Sequence, residues 1–91
     1  MRRQGDILFI AVKEMPKGKL TVKKNGVIAE GEKTGHMHRL LEGTLLQNLG
    51  QMYITVEKKA QVTHNEHKTI TLPKGNYLVR RQREFDGYVI D

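Results

Sequence analysis

Met52-Tyr53-Ile54-Thr55-Val56-Glu57 sets Met52, Ile54 and Val56 against Tyr53, Thr55 and Glu57, and Thr69-Ile70-Thr71-Leu72 alternates in the same way. Successive side chains of an extended strand point to opposite faces, so this pattern reads as half-buried antiparallel strands. Ile7 to Val12 differs, being apolar on both alternating faces. That predicts a strand covered on both sides and lying centrally. Asn25-Gly26, between Leu20-Thr21-Val22 and Val27-Ile28-Ala29, is a strong hairpin signal because both residues tolerate positive φ. It predicts that the flanking strands pair with each other. Pro73-Lys74-Gly75 predicts a turn into a last strand from Asn76 to Phe85, with Tyr77, Val79 and Phe85 sharing one face with Arg81 and Arg83.

Leu41, Leu45, Leu49 and Met52 also fall at helical spacing, but Gly43 and Gly50 weaken a helix there. The preferred reading is a strand around Thr44 to Gln47 that returns through Asn48-Leu49-Gly50. The expected class is therefore all-β: a small antiparallel barrel or sandwich of seven or eight short strands, with one short helix as the alternative for this segment. Ninety-one residues suffice for one domain, taken as 1–91, and one core. The absence of cysteine excludes a disulfide scaffold, thiolate zinc sites and thiol catalysis. The apolar run before Lys13 is too short for a membrane span and lacks a signal-peptide pattern, so no membrane partner and a cytoplasmic setting are expected.

A formal charge of +6 favours a polyanionic partner such as RNA or a nucleotide. The charge is evenly spread, with no basic tail. Tyr53, Tyr77, Phe85 and Tyr88 form no base-stacking motif, which argues against sequence-specific reading of nucleic acid.

All four histidines lie in two pairs, His36-Met37-His38 and His64-Asn65-Glu66-His67. Residues two apart on a strand share a face, so His36 and His38 can reach one ligand. The second pair converges if the chain makes a helical turn, which the Thr63-x-x-Glu66 capping pattern would start. Together His36, His38, His64 and His67 could build a nitrogen-rich site for zinc, manganese, iron or nickel, with Glu42 or Glu66 adding an oxygen ligand or serving as a base. The metal-free alternative uses His64, His67 and Glu66 as catalytic acid and base for phosphodiester cleavage. Arg39, Lys68, Arg81 and Arg83 are the candidate cations for a phosphate-bearing ligand.

Gly35-His36-Met37-His38-Arg39-Leu40-Leu41-Glu42-Gly43 resembles the first metal motif of cupins, in which His-x-His is followed by a ligand glutamate. The second cupin motif places a ligand histidine after Pro-x-Gly, whereas Pro73-Lys74-Gly75 is followed here by Asn76, Tyr77 and Leu78. A cupin-like site would thus need His64 or His67 as its fourth ligand. A resemblance over nearly the whole chain is to a family of short, uncharacterised prokaryotic and phage proteins. These begin with Gln-Gly-Asp and later carry Thr-Gly-His-x-His, Thr-His-x-Glu-His and Leu-Pro-x-Gly-x-Tyr-x-Val-x-Arg-Gln-Arg-Glu. Here the elements are Gln4-Gly5-Asp6, Thr34 to His38, Thr63 to His67 and Leu72 to Glu84. That resemblance implies that the histidines and the Arg-Gln-Arg strand belong to one design.

Three functions follow as expectations. The first is a four-histidine site that holds a divalent metal and acts on or binds a phosphate-bearing ligand. The second is a non-enzymatic module that binds nucleic acid or an acidic protein. The third is a cupin-like small-molecule enzyme. A homo-oligomer is compatible with all of them.

Overall fold

The computed structural model describes residues 1–30 and 35–82. Thr34, Arg83, Glu84, Phe85 and Tyr88 lie outside the described residues, as does the expected strand end at Phe85. Eight strands are present: β1 (Arg2–Gln4), β2 (Ile7–Val12), β3 (Thr21–Val22), β4 (Val27–Glu30), β5 (Met37–Leu41), β6 (Thr44–Asn48), β7 (Gln51–Thr63) and β8 (Ile70–Arg81). No α-helix occurs among the described residues, so the helical alternative for Leu40 to Leu49 falls away. All pairings are antiparallel within one sheet of order β1-β2-β8-β7-β5-β4, with β6 also on β7 and β3 on β6. The sheet curls over one core without closing into a barrel.

The all-β expectation therefore holds, but three local readings need correction. Two strands are long. Pro73-Lys74-Gly75 does not turn the chain; β8 runs straight through it, because β7 carries Glu57 and Lys58 opposite the single residue Lys74. This bulge gives Pro73, which cannot donate to a ladder, a place beside disrupted pairing. The Asn25-Gly26 turn forms, with Gly26 at φ 70° and Asn25 Oδ1 accepting from the Val27 amide, yet it does not close a hairpin. β3 pairs with β6 and β4 with β5, so the turn carries the chain from one hairpin arm to the other. Both arms, β5 and β6, pair with opposite ends of β7. Finally, β2 lies next to the edge strand β1, not at the centre. Its Ile7, Leu8 and Phe9 are nonetheless fully buried, whereas Ile10 and Val12 are half-buried and Ala11 is exposed, so the doubly apolar pattern holds for the first half of the strand only.

Ile7, Phe9, Ile28, Leu40, Leu45, Ile54, Val56 and Leu72 belong to a single core cluster contributed by β2 and β4 to β8. Leu49 and Gly50 join β6 to β7 with φ of 49° and 80°, the two positive values of a type I′ turn. Leu49 is 96% exposed and has no Cβ-tolerant reason to adopt that conformation.

Two stability outcomes are expected. Ile54→Ala, at a position with no exposure, should cost about 2–5 kcal/mol in urea unfolding. Leu49→Asn, which creates the preferred Asn-Gly turn, should instead stabilise by roughly 0.5–1 kcal/mol.

Candidate functional site

Gln4 is the last residue of β1 and is 2% exposed. A buried primary amide is costly unless its donors and acceptor are all used. Its Nε2 donates to the carbonyls of Val62 and Lys68, each at 2.8 Å. Its Oε1 lies 2.8 Å from Nδ1 of His38. Carbonyls only accept, so the NH2 group must face them and the amide oxygen must face the ring. Nδ1 of His38 therefore carries the proton, and the neutral ring keeps its lone pair on Nε2.

His38, like Leu40, points inward from β5 and is only 6% exposed. Burial, reinforced by the neighbouring His64, lowers its pKa to about 4, so the ring stays neutral at physiological pH. His64 has the opposite tautomer. Its Nδ1 accepts the amide N–H groups of Glu66 at 3.0 Å and His67 at 3.2 Å, which puts the neutral ring's proton on Nε2. Its pKa is lowered by desolvation, then by repulsion from His67 and His36. These two bonds also replace the expected helical turn. Residues 64–67 form a bend held by the His64 ring, and Thr63 Oγ1 turns instead to the carbonyl of Arg39.

The two histidine pairs converge. Ring centroids lie 4.3 Å apart for His38 and His64, 4.6 Å for His64 and His67, and 5.8 Å for His36 and His64. Asn65 fastens the segments together, its Oδ1 accepting the Met37 amide N–H at 3.0 Å. His36 Nδ1 stands 3.3 Å from Glu66 Oε1. Gly5, at φ 60°, lies so close to the rings that a Cβ there would meet His67 Nε2 at 2.8 Å. All four histidines line one cleft of about 280 Å³. Asp6, Glu30 and Glu66 add three carboxylates to its wall, and Arg81 adds one cation.

The other candidates are distributed differently. Arg39 alternates with His38 along β5 and lines a separate cleft with Met37, Thr63 and Asn65. Lys68 is exposed and supplies its carbonyl to Gln4. Arg83 lies outside the described residues. Glu42 occupies the β5–β6 turn beside Glu57, Lys58 and Lys59, at the far end of β5 from His38. It is therefore not positioned to join the histidines as a ligand, which removes the glutamate of the cupin pattern. Among the described residues, no group of three or more His, Asp or Glu is arranged so that it could hold a metal ion.

The fold and cleft define an all-β unit with a histidine-lined pocket at one end of a curled sheet. The chain belongs to DUF8820, a domain of unknown function, whose family model matches residues 3–82. That span runs from β1 through β8 and takes in every cleft residue named above. No curated protein and no solved structure matches the chain. No helix among the described residues is long and apolar enough to cross a membrane.

Gln4, Gly5, Asp6, Glu30 and Asn65 are residues at the site that the histidine spacing did not reveal: Asp6 and Glu30 line the cleft, while Gln4, Gly5 and Asn65 contact or fasten the histidine segments from outside its lining. For the first three the available signal was the Gln-Gly-Asp element of the family resemblance, which carried no chemistry until Gln4 was seen against His38.

Because the folded state keeps His38 neutral while the unfolded chain protonates it near pH 6.5, the unfolded state binds more protons between these values. The stabilisation is complete above pH 6.5 and is lost as pH falls toward 4, amounting to about 3 kcal/mol at most. Urea midpoints measured from pH 7 to 4.5 should fall accordingly, and His38→Gln should flatten that dependence.

Proposed function

We propose that the cleft binds a divalent transition metal through imidazole nitrogens, with His38, His36 and His67 as ligands and His64 completing the set. The observation that carries this reading is the Gln4–His38 bond. A buried oxygen that fixes Nδ1–H leaves Nε2 as the donor atom, which is how metal-binding imidazoles are oriented by their surroundings. Glu66 beside Nδ1 of His36 repeats the pattern with a carboxylate. Imidazoles with carboxylates close by suit zinc, manganese, iron or nickel. Loading requires the rings to turn, and His64 must release the amides of Glu66 and His67 to offer a nitrogen.

A second reading rests on the opposed tautomers of His38 and His64, which set an Nε2 lone pair and an Nε2–H within one cleft. Such a pair can take a proton from a ligand and give one back without any metal. A phosphate-bearing ligand, RNA or nucleotide, is favoured by Arg81 and by a bound cation, and opposed by Asp6, Glu30 and Glu66.

Titration of the chelator-treated, tag-free protein with Zn2+ and Co2+ tests the metal reading. One ion per chain is expected, and His38→Ala and His67→Ala should each weaken binding by at least about 100-fold. Gln4→Leu should cost about 10- to 100-fold, because the ring loses its orienting oxygen. Gly5→Ala should also weaken binding by displacing the His67 ring, while costing only about 1 kcal/mol in stability. Absence of stoichiometric metal, with a bell-shaped pH profile for cleavage of an RNA substrate, would transfer the function to the proton-transfer pair. Nucleic-acid binding that weakens steeply with salt in the absence of cleavage would instead support the binding module.

A further inference from the structure

Arg39 alternates with the inward His38 along β5, and its register partner on β7 is Thr63. Residues directly opposed in an antiparallel pair project from the same face, and so does Met37, two positions before Arg39. These three side chains, with Gly35, His64 and Asn65, line an open cleft of about 370 Å³. The His64 ring is shared with the histidine cleft. Their charges differ in kind. Asp6, Glu30 and Glu66 line the histidine cleft, whereas among the described residues no carboxylate lines this one and Arg39 is its one cation.

The guanidinium is poorly matched by the protein itself. Among the described residues the one polar contact of its side chain is Nη2 donating to the thioether sulfur of Met37 at 3.3 Å, and a thioether is a weak acceptor. Arg39 is exposed, so the rest of its donor fork is open to a ligand. Asn65 adds to it, because its Oδ1 is taken up by the Met37 amide N–H at 3.0 Å and its NH2 group is left as the half a ligand can use. The Thr63 hydroxyl makes only a long contact, 3.5 Å, to the carbonyl of Arg39 and can turn to an incoming acceptor.

We propose that this cleft binds a phosphate group through Arg39, Asn65 and Thr63, as the handle of a phosphate-bearing ligand whose remainder passes His64 into the histidine cleft. Donors on three side chains around one cation suit the several oxygens of a tetrahedral phosphate better than the two coplanar oxygens of a carboxylate. A dianion placed here also lies outside the cleft that holds Asp6, Glu30 and Glu66, whose repulsion opposes phosphate among the histidines themselves. Only the role as a handle rests on the function proposed above. The phosphate site itself does not need the metal.

Backbone NMR of the intact protein in the presence of a chelator, titrated with inorganic phosphate at constant ionic strength, tests the site. Saturable shifts at Arg39, Thr63 and Asn65 are expected, with a Kd on the order of 10 mM. Acetate should bind at least about tenfold more weakly, since it lacks the further oxygens and the second charge. Arg39→Gln should weaken phosphate by at least about tenfold, and Arg39→Lys, which keeps the charge without the fork, by roughly threefold or more. Asn65→Asp keeps an oxygen for the Met37 amide but puts a carboxylate oxygen where the NH2 group stood, so it should abolish binding while the dispersed spectrum persists. Adenosine 5′-monophosphate should bind more tightly than phosphate and shift His64 and His67 as well. Equal binding of acetate, phosphate binding unchanged in Arg39→Gln, or no saturable shift would overturn the proposal, and nucleotide shifts that stop short of the histidines would overturn the handle. If Asn65→Asp does not fold, the variants of the exposed Arg39 decide it alone. Zn2+ titration of the wild-type protein keeps the two sites apart: phosphate binding without Zn2+ binding removes only the metal, and Zn2+ binding without phosphate binding removes only this site.

Discussion

One buried amide organises the site. Gln4 has two donor hydrogens and an acceptor oxygen, and each meets a partner: the carbonyls of Val62 and Lys68, and the ring of His38. Leaving any of them unpaired at 2% exposure would cost about 1–3 kcal/mol, so the group is locked in one orientation. That orientation dictates which nitrogen of His38 holds the proton. It also ties β1 to the end of β7 and to the loop that carries His64 and His67. A substitution at this single position therefore reaches both the fold and the chemistry.

The histidines owe their convergence to sheet topology more than to their spacing. β5 pairs with the end of β7 at Arg39–Thr63, and the chain leaves β7 at once into His64. His38, inward on β5, is thus beside the first residues of the β7–β8 loop. Asn65 closes the remaining gap through the Met37 amide. Gly5 lets the β1–β2 turn lie beneath the rings, a close approach that a side chain would prevent. Three segments distant in sequence so build one cleft, each with a polar or steric contact of its own.

Strand alternation was legible because burial enforces it. Ile7 to Val12 and Met52 to Val56 both form strands as their apolar patterns require, although β2 lies beside the edge strand and is buried on both faces only from Ile7 to Phe9. Pairing partners were less legible, for a physical reason: Asn25-Gly26 encodes a turn's dihedral angles, but not which edge each arm will join. With Thr21 and Val22 both exposed, the hydrophobic pattern of β3 had little hold over its partner. Pro73-Lys74-Gly75 misled in the opposite sense. A local turn signal was absorbed by an extra residue on the facing strand, information that resides at Glu57 and Lys58, some sixteen positions away. At the site, His36, His38, His64 and His67 announced themselves through their chemistry. Gln4 and Gly5 did not, since a glutamine and a glycine become informative only when their neighbours in space are known. Glu42 failed as a ligand because it follows the last residue of β5, at the opposite end of that strand from His38 and beside Glu57, Lys58 and Lys59.

The register of β2 against β8, Ile7 opposite Arg81 and Val12 opposite Asn76, carries a consequence for biosynthesis. Ile-Leu-Phe-Ile is synthesised well before its main partner strand, to which it pairs across most of the described sequence. Until then this apolar segment has only three residues of β1 to pair with. Such a nascent chain exposes an unpaired apolar edge until β8 is made, and its folding waits on contacts of high sequence separation. Arg2 and Arg3 lie on β1 opposite Phe9 and Leu8 and so cover the other edge of that segment, leaving the edge that faces β8 open until its partner strand is made.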